Sequence, residues 1–563
     1  MLYKLTQSTK SIAILNFKLY NLTHKIIGGH LMKFTPRNLT SLVIALVLIF
    51  GVLQFPAYGK DAKDKDKKAK PFVLEEATVD SIHAAFANGT LTCTALVKSY
   101  LARINAYDKK GPAINSIINV NNDALNLAAK MDKQYKDSKG KVSPLFCIPI
   151  ILKDNYNTKD MPTTGGNVAM KDSVPPSDAF TVDKMRKAGA IILAKANLQE
   201  FARGGMSISS LGGQVLNPYD LTLTPGGSSG GTGAAIASNL AVLGAGSDTG
   251  QSIRSPASAN SLVGVRPTRG LISRAGVMPN SFTQDEIGPI TRTVKDAARL
   301  LDVMVGYDPK DPITAFGVGK TPKSYAAGLN ANSLKGARIG VMTNLYGTEE
   351  RHAEVNKVME QVIKTMEAKG AKIIRFSLPE YDTLSPKVGT ASWEARSAMD
   401  KYFAELGPNA PVKTFRQLVD SKTASPTVQK TLETEIAVED GLNNQEYKDR
   451  TLNRDKLRLA VSSKMADLGL DAILYPLQKV LVAPISAADQ MERNGTLSNG
   501  TGFPAVTFPG GFSTPTATAP LGVPIGAELL GRDYSEPLLL SLAYSYEQAA
   551  KVRKAPLSTP PLK

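Results

Sequence analysis

The chain has 563 residues, of which 42% are hydrophobic and 21% are charged, with 46 glycines and 34 prolines. This composition excludes a disordered polypeptide and a fibrous protein, and it is typical of a globular protein with a large core. The formal net charge of +17 raises the question of a polyanionic partner.

The first 59 residues have the organisation of an export signal. They hold six basic residues and no acidic one, and an apolar run over 42–53 precedes Ala57-Tyr58-Gly59. A basic segment, an apolar core and small residues at the cleavage site predict cleavage after Gly59 and export to the periplasm or the extracellular space. Met32 is an alternative start, since a complete signal follows it. An uncleaved anchor is the other interpretation, but the apolar run is shorter than the roughly 18–20 residues of a spanning helix.

Residues 60–72 form a charged linker. Within 60–70, six lysines alternate with three aspartates, a pattern typical of a solvated segment rather than of a nucleic-acid surface. Removal of residues 1–59, which carry six of the 67 basic residues and none of the 50 acidic ones, leaves a net charge of +11. We therefore expect no nucleic-acid partner, no stable membrane insertion after cleavage, and a single domain over 73–563.

Alternating periodicities after the linker predict an α/β protein with a large mixed β-sheet and helices on both faces. The predicted strands are 117–120, 146–152, 190–193, 338–342 and 372–376, and the predicted helices are 80–88, 92–108, 124–135, 179–188 and 355–369. The stretch 211–270, rich in glycine and serine, is interpreted as ordered loop and helix, and 307–336 as a surface excursion. Loops at 204–211 and 384–451 are expected to wall the substrate pocket.

Two cysteines, Cys93 and Cys147, are too few for a disulfide framework or a cysteine-based metal site, and the sequence leaves open whether they pair. After the predicted cleavage site only His83 and His352 remain, and neither lies near the Gly/Ser-rich blocks. A Ser-His-Asp triad is therefore not expected, and both histidines are interpreted as structural.

Three blocks of sequence carry the residues suited to catalysis. Residues 224–235 read T-P-G-G-S-S-G-G-T-G-A-A, 244–257 read G-A-G-S-D-T-G-Q-S-I-R-S-P-A, and 148–155 read I-P-I-I-L-K-D-N. A glycine-rich loop before a helix can cradle phosphate, but no lysine follows these glycines as in a nucleotide P-loop. Lys153 ends an apolar strand, either as a lysine that reaches water or as a desolvated amine whose lowered pKa lets it act as a base.

These blocks resemble the amidase signature family, and the resemblance covers nearly the whole chain after the leader. The matching stretches are 165–166, 194–201, 217–235, 244–270, 288–296, 470–476 and 501–540. The resemblance implies the amidase signature fold and hydrolysis of carbon–nitrogen amide bonds. It implies no metal and no organic cofactor, because a lysine relay supplies the base.

By that resemblance, Ser252 is the nucleophile, Ser228 is a bridging serine that follows a cis peptide bond, and Lys153 is the base. Neutral Lys153 would accept the proton of Ser228 while Ser228 accepts that of Ser252, which gives an acyl-enzyme on Ser252. The oxyanion hole is assigned to the backbone N–H groups of Thr249, Gly250, Gln251 and Ser252.

Two positions depart from the family pattern. Gln251 stands where glycine is usual; its N–H is retained, but its side chain is expected to narrow or polarise the pocket. Leu223 stands where arginine is usual and is expected to change loop support rather than chemistry.

Three functions fit the sequence. The leading hypothesis is an exported amidase that acts on a small-molecule or peptide amide. The second is the glutaminase subunit of a tRNA-dependent amidotransferase, which works in the cytosol with a partner, so the export segment counts against it. The third is a catalytically impaired binding homologue, favoured only if Gln251 spoils the oxyanion hole.

Overall fold

The computed structural model describes residues 71–408 and 410–562, so the predicted leader and nearly all of the charged linker lie outside the described residues. An 11-stranded sheet has the strand order β1-β3-β2-β6-β8-β7-β12-β13-β11-β9-β10, and β4 and β5 form a small hairpin. The strands are β1 Ile117–Val120, β2 Pro149–Lys153, β3 Ile191–Ala196, β4 Ile208–Ser209, β5 Gly213–Gln214, β6 Leu243–Asp248, β7 Val263–Arg266, β8 Glu286–Thr291, β9 Arg338–Met342, β10 Lys372–Phe376, β11 Ala472–Pro476, β12 Ala505–Phe512 and β13 Pro524–Leu530.

The sheet is mixed and covered on both faces, as predicted. β2 is parallel to β3 and to β6, and β9 is parallel to β10 and to β11, whereas the central strands β6, β8, β7, β12 and β13 pair antiparallel. Every residue of β2, β3, β6, β8 and β13 is buried. Because successive side chains of a strand point to opposite faces, this burial requires a layer of structure on each side.

Helices form those layers. They are α1 Val79–Ala87, α2 Cys93–Tyr107, α3 Ala124–Asp137, α4 Phe180–Lys187, α5 Gly230–Ala237, α6 Arg254–Ala259, α7 Val294–Met304, α8 Ala353–Ala368, α9 Pro379–Leu384, α10 Ala391–Leu406, α11 Phe415–Asp420, α12 Pro426–Ile436, α13 Gln445–Asp467, α14 Thr496–Thr501 and α15 Glu536–Ala550. Helices α10, α11 and α12 share a separate apolar cluster with Phe201 and Met278. None of the helices in the described ranges is long and apolar enough to cross a membrane.

The predicted strands at 117–120, 338–342 and 372–376 are confirmed to the residue. The stretch 211–270 differs from its interpretation as loop and helix, since it also contains β6 and β7. Glycines in β6 lower its β-propensity, so the sequence does not indicate this strand. These glycines are needed for packing, because a Cβ at Gly244 would lie 2.6 Å from the Thr232 side chain, and one at Gly246 would lie 2.7 Å from Ser229 Oγ. Packing of α5 against β6 therefore requires residues that β-propensity disfavours.

The segments 307–336 and 384–451, both predicted to be irregular, differ in their helix content. The excursion 307–336 contains a single regular element, the 3-10 helix Pro312–Gly317. The stretch 384–451, expected to be loops, is instead largely helical and holds α10, α11 and α12.

Cys93 and Cys147 form a disulfide bond that closes a sequence separation of 54 residues, with their Cα atoms 5.8 Å apart. The bond joins the first residue of α2 to the chain just before β2. A cross-link of this kind stabilises a protein mainly by restricting the unfolded chain.

We expect the double variant Cys93→Ala/Cys147→Ala to lose about 2–4 kcal/mol of unfolding free energy, with kcat unchanged because the bond lies outside the catalytic machinery. Thermal unfolding with and without reductant measures this: reductant should lower the Tm of the wild type and leave that of the variant unmoved. Equal Tm values for the wild type and the variant would show that the bond contributes no stability.

Candidate active site

Lys153 is the last residue of β2, and its side chain is fully buried. Its Nζ lies 2.7 Å from Ser228 Oγ and 2.8 Å from Ser247 Oγ. The parallel pairing of β2 with β6, in which Leu152 lies opposite Ala245, brings Ser247 beside the lysine. The structure therefore joins two of the three predicted catalytic side chains, Lys153 and Ser228, and adds Ser247 to them.

The next residue, Asp154, does not neutralise Lys153. Its carboxylate lies 2.9 Å from Lys195 Nζ and accepts the backbone N–H of Thr164 at 3.2 Å. Successive side chains of an extended chain point in opposite directions, which separates Asp154 from Lys153. Within the described part of the chain, Lys153 makes no salt bridge.

Burial lowers the pKa of Lys153 to about 7, and the negative charges of Asp248 and Asp285 oppose this shift. Desolvation disfavours the ammonium form because a charge in an apolar interior loses its hydration. A lysine in water has a pKa near 10.4 and is almost fully protonated at pH 7. At this site a large fraction is neutral at the same pH, so the amine can accept a proton.

Ser228 lies in a tight turn before α5, after the predicted cis peptide bond between Gly227 and Ser228. Gly226 has a φ of +72°, and a Cβ at Gly227 would lie 2.7 Å from the carbonyl oxygen of Gly205. The carbonyl of Ser228 accepts the backbone N–H of Gln199 at 2.9 Å. The glycines of this block therefore allow neighbouring backbone to come close enough to hold Ser228 against Lys153.

Ser252 lies in the turn between β6 and α6. Its carbonyl accepts the backbone N–H of Ser229 at 3.2 Å, so the two serine-bearing segments are adjacent. Among the contacts of the described residues, Ser252 Oγ makes no hydrogen bond, and none of the backbone N–H groups of Thr249, Gly250, Gln251 and Ser252 donates one. Free N–H groups beside an unbonded hydroxyl are the arrangement that a tetrahedral oxyanion requires.

Arg254 supports the turn 249–252. Its side chain is fully buried, forms salt bridges with Asp248 and Glu528 at 3.1 and 2.8 Å, and donates to the carbonyl of Gly250 at 2.6 Å. The neighbouring Arg266 also pairs with Asp248 at 2.8 Å. These guanidinium groups hold the pKa of Asp248 at about 2 despite its burial. The carbonyl of Gly250 is thereby directed at the arginine, so the N–H of Gln251, which belongs to the same peptide unit, points the opposite way.

Two neighbouring residues hold Thr249, the first residue of the turn. Thr249 Oγ1 donates to Asp285 Oδ1 at 2.6 Å, and Gln284 Nε2 donates to the Thr249 carbonyl at 3.3 Å. Gln284 Oε1 also accepts the backbone N–H of Thr390 at 2.5 Å, just before α10. The turn 249–252, which is the predicted oxyanion turn, is therefore connected to the helical layer that carries α10.

The buried side chain of Gln251 lies against Gly495, and neither its Oε1 nor its Nε2 has a hydrogen-bond partner among the described residues, so its effect on the pocket stays a prediction. A Cβ at Gly495 would be 2.6 Å from Gln251 Cβ and 2.9 Å from its Oε1. Glycine at 495 therefore makes the room that glutamine at 251 needs. Leu223 packs against an apolar cluster that includes Val482 and Val523, in accord with a role in loop support.

A cavity of about 960 Å³ opens beside these residues, and Ser247 and Thr249 form part of its wall. Met278, Phe282 and Tyr402 also line it. Part of that wall is α10, a helix rather than the expected loop. The volume of the cavity is at the upper end of ligand pockets, which range over about 300–1,000 Å³.

Ser247, Asp285 and Gln284 are neighbours of the site that the sequence does not indicate. Ser247 lies within 244–257, but no local pattern marks it as a neighbour of Lys153, since the contact depends on strand pairing. The histidines are structural, as predicted: His83 Nε2 donates to the carbonyl of Phe146 at 3.1 Å, and buried His352 contacts Glu492 at 2.6 Å. Among residues 71–408 and 410–562, no three His, Cys, Asp or Glu side chains are placed to hold a metal ion.

A buried lysine against a serine, next to a turn of free N–H groups, defines a hydrolase that uses serine and lysine in place of histidine. The sequence model of the amidase family matches residues 95–540 of this chain. A probable amidase of Arabidopsis thaliana is 33% identical over 502 residues, which cover 86% of this chain and 92% of the relative. A glutamyl-tRNA(Gln) amidotransferase subunit of Thermoanaerobacter pseudethanolicus is 33% identical over 503 residues, 86% of this chain and 98% of that protein.

The X-ray structure of peptide amidase from Stenotrophomonas maltophilia is also similar. It matches with a TM-score of 0.78 at 33% identity, over 86% of this chain and 99% of that one. The chain belongs to the amidase family. It has the amidase signature fold and is an amide-hydrolysing enzyme.

Proposed function

We propose that this enzyme cleaves linear amides through an acyl-enzyme on Ser252, with Ser228 and Lys153 moving the proton. The observation that carries the proposal is the buried Lys153, whose Nζ lies 2.7 Å from Ser228 Oγ and whose pKa is about 7. A serine hydroxyl is a weak nucleophile until a base accepts its proton. Here the neutral amine is that base.

The reaction proceeds in two halves. Ser252 Oγ attacks the amide carbonyl while its proton passes to Ser228 and the proton of Ser228 passes to Lys153 Nζ. The oxyanion is held by free N–H groups of the 249–252 turn until the carbon–nitrogen bond breaks and the relay protonates the departing amine. Water then attacks the ester, its proton enters the same relay, and the carboxylic acid leaves with Ser252 restored.

The lowered pKa predicts the pH dependence of the reaction. For an amide without ionisable groups, kcat/KM should be constant above pH 8 and fall by about tenfold per pH unit below pH 7, because only neutral Lys153 accepts a proton and acid converts it to ammonium. Initial rates from pH 5 to pH 10 measure this. Lys153→Ala serves as the control, since its residual activity should lose the acid limb once the titrating amine is removed. A wild-type rate that stays flat down to pH 5 would exclude Lys153 as the base.

The substrate we propose is a small-molecule or peptide amide, and the cavity of about 960 Å³ supports a substrate much larger than acetamide. The similarity to an amidotransferase component keeps the glutaminase function as the alternative. Turnover of an aryl or peptide amide by the purified chain, with no partner present, supports the amidase. Turnover of glutamine without turnover of aryl or peptide amides supports the glutaminase function. The impaired homologue is disfavoured, because the N–H of Gln251 donates no hydrogen bond to a described residue and is free for an oxyanion.

We further propose that the enzyme is exported to the periplasm or the extracellular space. The order of basic, apolar and small residues in 1–59 supports this. So does the bond between Cys93 and Cys147, because disulfides form and persist in oxidising compartments and are rare in the cytosol.

Export predicts a mature N-terminus close to Lys60. N-terminal sequencing of the protein from the producing cell, with separation of cytosolic and exported fractions, measures it. Replacing Ala57 and Gly59 with bulky residues should block processing and leave the precursor at the membrane. Cytosolic protein that retains Lys33 would contradict export and favour the amidotransferase function.

A further inference from the structure

The segment 307–323, which follows α7, exposes an unusual set of apolar side chains. Phe316 is 71% exposed, Val318 63% and Tyr307 54%. Within residues 71–408 and 410–562, Tyr307 and Phe316 are the two aromatic residues that are more than half exposed. Single exposed apolar residues are ordinary on protein surfaces, but three within twelve residues indicate a binding surface.

This segment is held rigidly in place. Thr314 Oγ1 accepts the backbone N–H of Asp308 at 2.9 Å and donates to the carbonyl of Asp311 at 2.8 Å. Asp308 in turn accepts Ser273 Oγ at 2.5 Å, and Asp311 forms a salt bridge with Arg274 at 2.8 Å. The apolar side chains therefore point outward from a fixed scaffold.

The exposed charges of the segment are all positive. Lys310, Lys320 and Lys323 are exposed, and none forms a salt bridge with any described residue. The two acidic residues, Asp308 and Asp311, are buried and bind Ser273 and Arg274, respectively. What the segment presents to its surroundings is thus aromatic, aliphatic and cationic. We name this surface the basic apolar patch; its members are Tyr307, Lys310, Phe316, Val318, Lys320 and Lys323.

The patch adjoins the mouth of the substrate cavity. Asp308, Lys310 and Asp311 line the cavity whose wall also contains Thr249 of the oxyanion turn. A surface bound to the patch would therefore lie beside the entrance.

We propose that the basic apolar patch docks the enzyme on an anionic lipid bilayer. Aromatic and aliphatic side chains enter the headgroup region, where amphipathic rings are favoured, and the lysines pair with lipid phosphates. Charge complementarity selects this occupant: three unpaired lysines and three exposed apolar side chains in one segment match a negatively charged apolar interface, whereas a second copy of the patch would bring like charges together. Docking would present the cavity mouth to amides dissolved in the bilayer, a consequence that rests on the proposed function.

Co-sedimentation of the purified protein with phosphatidylglycerol/phosphatidylcholine vesicles tests the proposal. The wild type should bind these vesicles, bind pure phosphatidylcholine vesicles far less, and dissociate as salt rises. Each lysine near an anionic surface contributes roughly fivefold to partitioning, so Lys320→Glu/Lys323→Glu should weaken binding by about thirtyfold or more. Phe316→Ser/Val318→Ser should weaken it as well.

Helix α13 offers matched controls, because it also exposes leucines and lysines but intersperses them with the exposed acids Asp449 and Asp455. Leu452→Ser/Leu459→Ser and Lys448→Glu/Lys456→Glu should bind vesicles as the wild type does. Activity of all four variants on a water-soluble amide should be unchanged, which shows correct folding and separates failure of docking from failure of the proposed function. Equal vesicle binding by patch and control variants would overturn the proposal. So would a concentration-dependent dimer that patch substitutions disrupt in the absence of vesicles.

Discussion

Substituting Ser252 with alanine is expected to abolish amide turnover, with a loss of about 10⁴-fold or more, because this hydroxyl forms the bond to the acyl group. Ser228→Ala and Lys153→Ala should be slower by about 10²–10⁴-fold each, since these side chains move protons and do not bond to the substrate. Single-turnover rates of each purified variant measure the difference.

A pair of matched substrates sharpens this test. Lys153→Ala should impair an amide more than the ester of the same acid, because an amine must be protonated to leave and an alkoxide depends on this less. Ser252→Ala should impair both equally. Equal loss of amide and ester turnover in Lys153→Ala would contradict its role in protonating the departing amine.

Replacing Arg254 with methionine is expected to cost about 3–5 kcal/mol of unfolding free energy, because it leaves the buried Glu528 without its cation and Asp248 with Arg266 alone. Asp248 and Glu528 are both fully buried, and Arg254 bridges them. The substitution also removes the donor to the Gly250 carbonyl. Activity at a temperature where the variant is folded should therefore fall too, as the oxyanion turn loses its support.

The exposed pair of Arg375 and Glu360 is the matched control for Arg254. The side chain of Arg375 is 49% exposed and that of Glu360 is 44% exposed, and Arg375 Nη2 lies 2.9 Å from Glu360 Oε1. A solvated pair of this kind contributes about 0–1 kcal/mol, so Arg375→Ala should barely change stability. Urea unfolding curves of both variants give the comparison. An Arg254→Met protein as stable as Arg375→Ala would show that the buried network is not needed for folding.

The sequence predicts those parts of the site that depend on local pattern. Lys153 ends an apolar strand, and Ser228 and Ser252 lie in glycine-rich turns that precede helices, so their blocks can be found without a fold. Their roles as base, bridging serine and nucleophile come from the resemblance to the amidase signature family. The contact between Lys153 and Ser247 depends on the pairing of β2 with β6. No local signal specifies which strands become neighbours, and Ser247 is not identified from the sequence for that reason.

Tertiary packing also explains the other differences. β6 is not predicted because Gly244 and Gly246 lower its β-propensity, and those glycines are required by the approach of α5. The fit of Gln251 depends on Gly495, which is distant in sequence, so the sequence alone does not show where that side chain packs. The pairing of Cys93 with Cys147 can likewise be inferred only once the fold brings α2 next to the start of β2.

Labelling with a fluorophosphonate, followed by mass spectrometry of the digested protein, tests the nucleophile most directly. Such a probe bonds covalently to an activated serine, so the modified peptide identifies the residue that attacks. We predict a single adduct on Ser252, absent from Ser252→Ala and formed more slowly in Lys153→Ala. An adduct on Ser228 or on any other serine, or an unlabelled protein that still hydrolyses amides, would contradict the account.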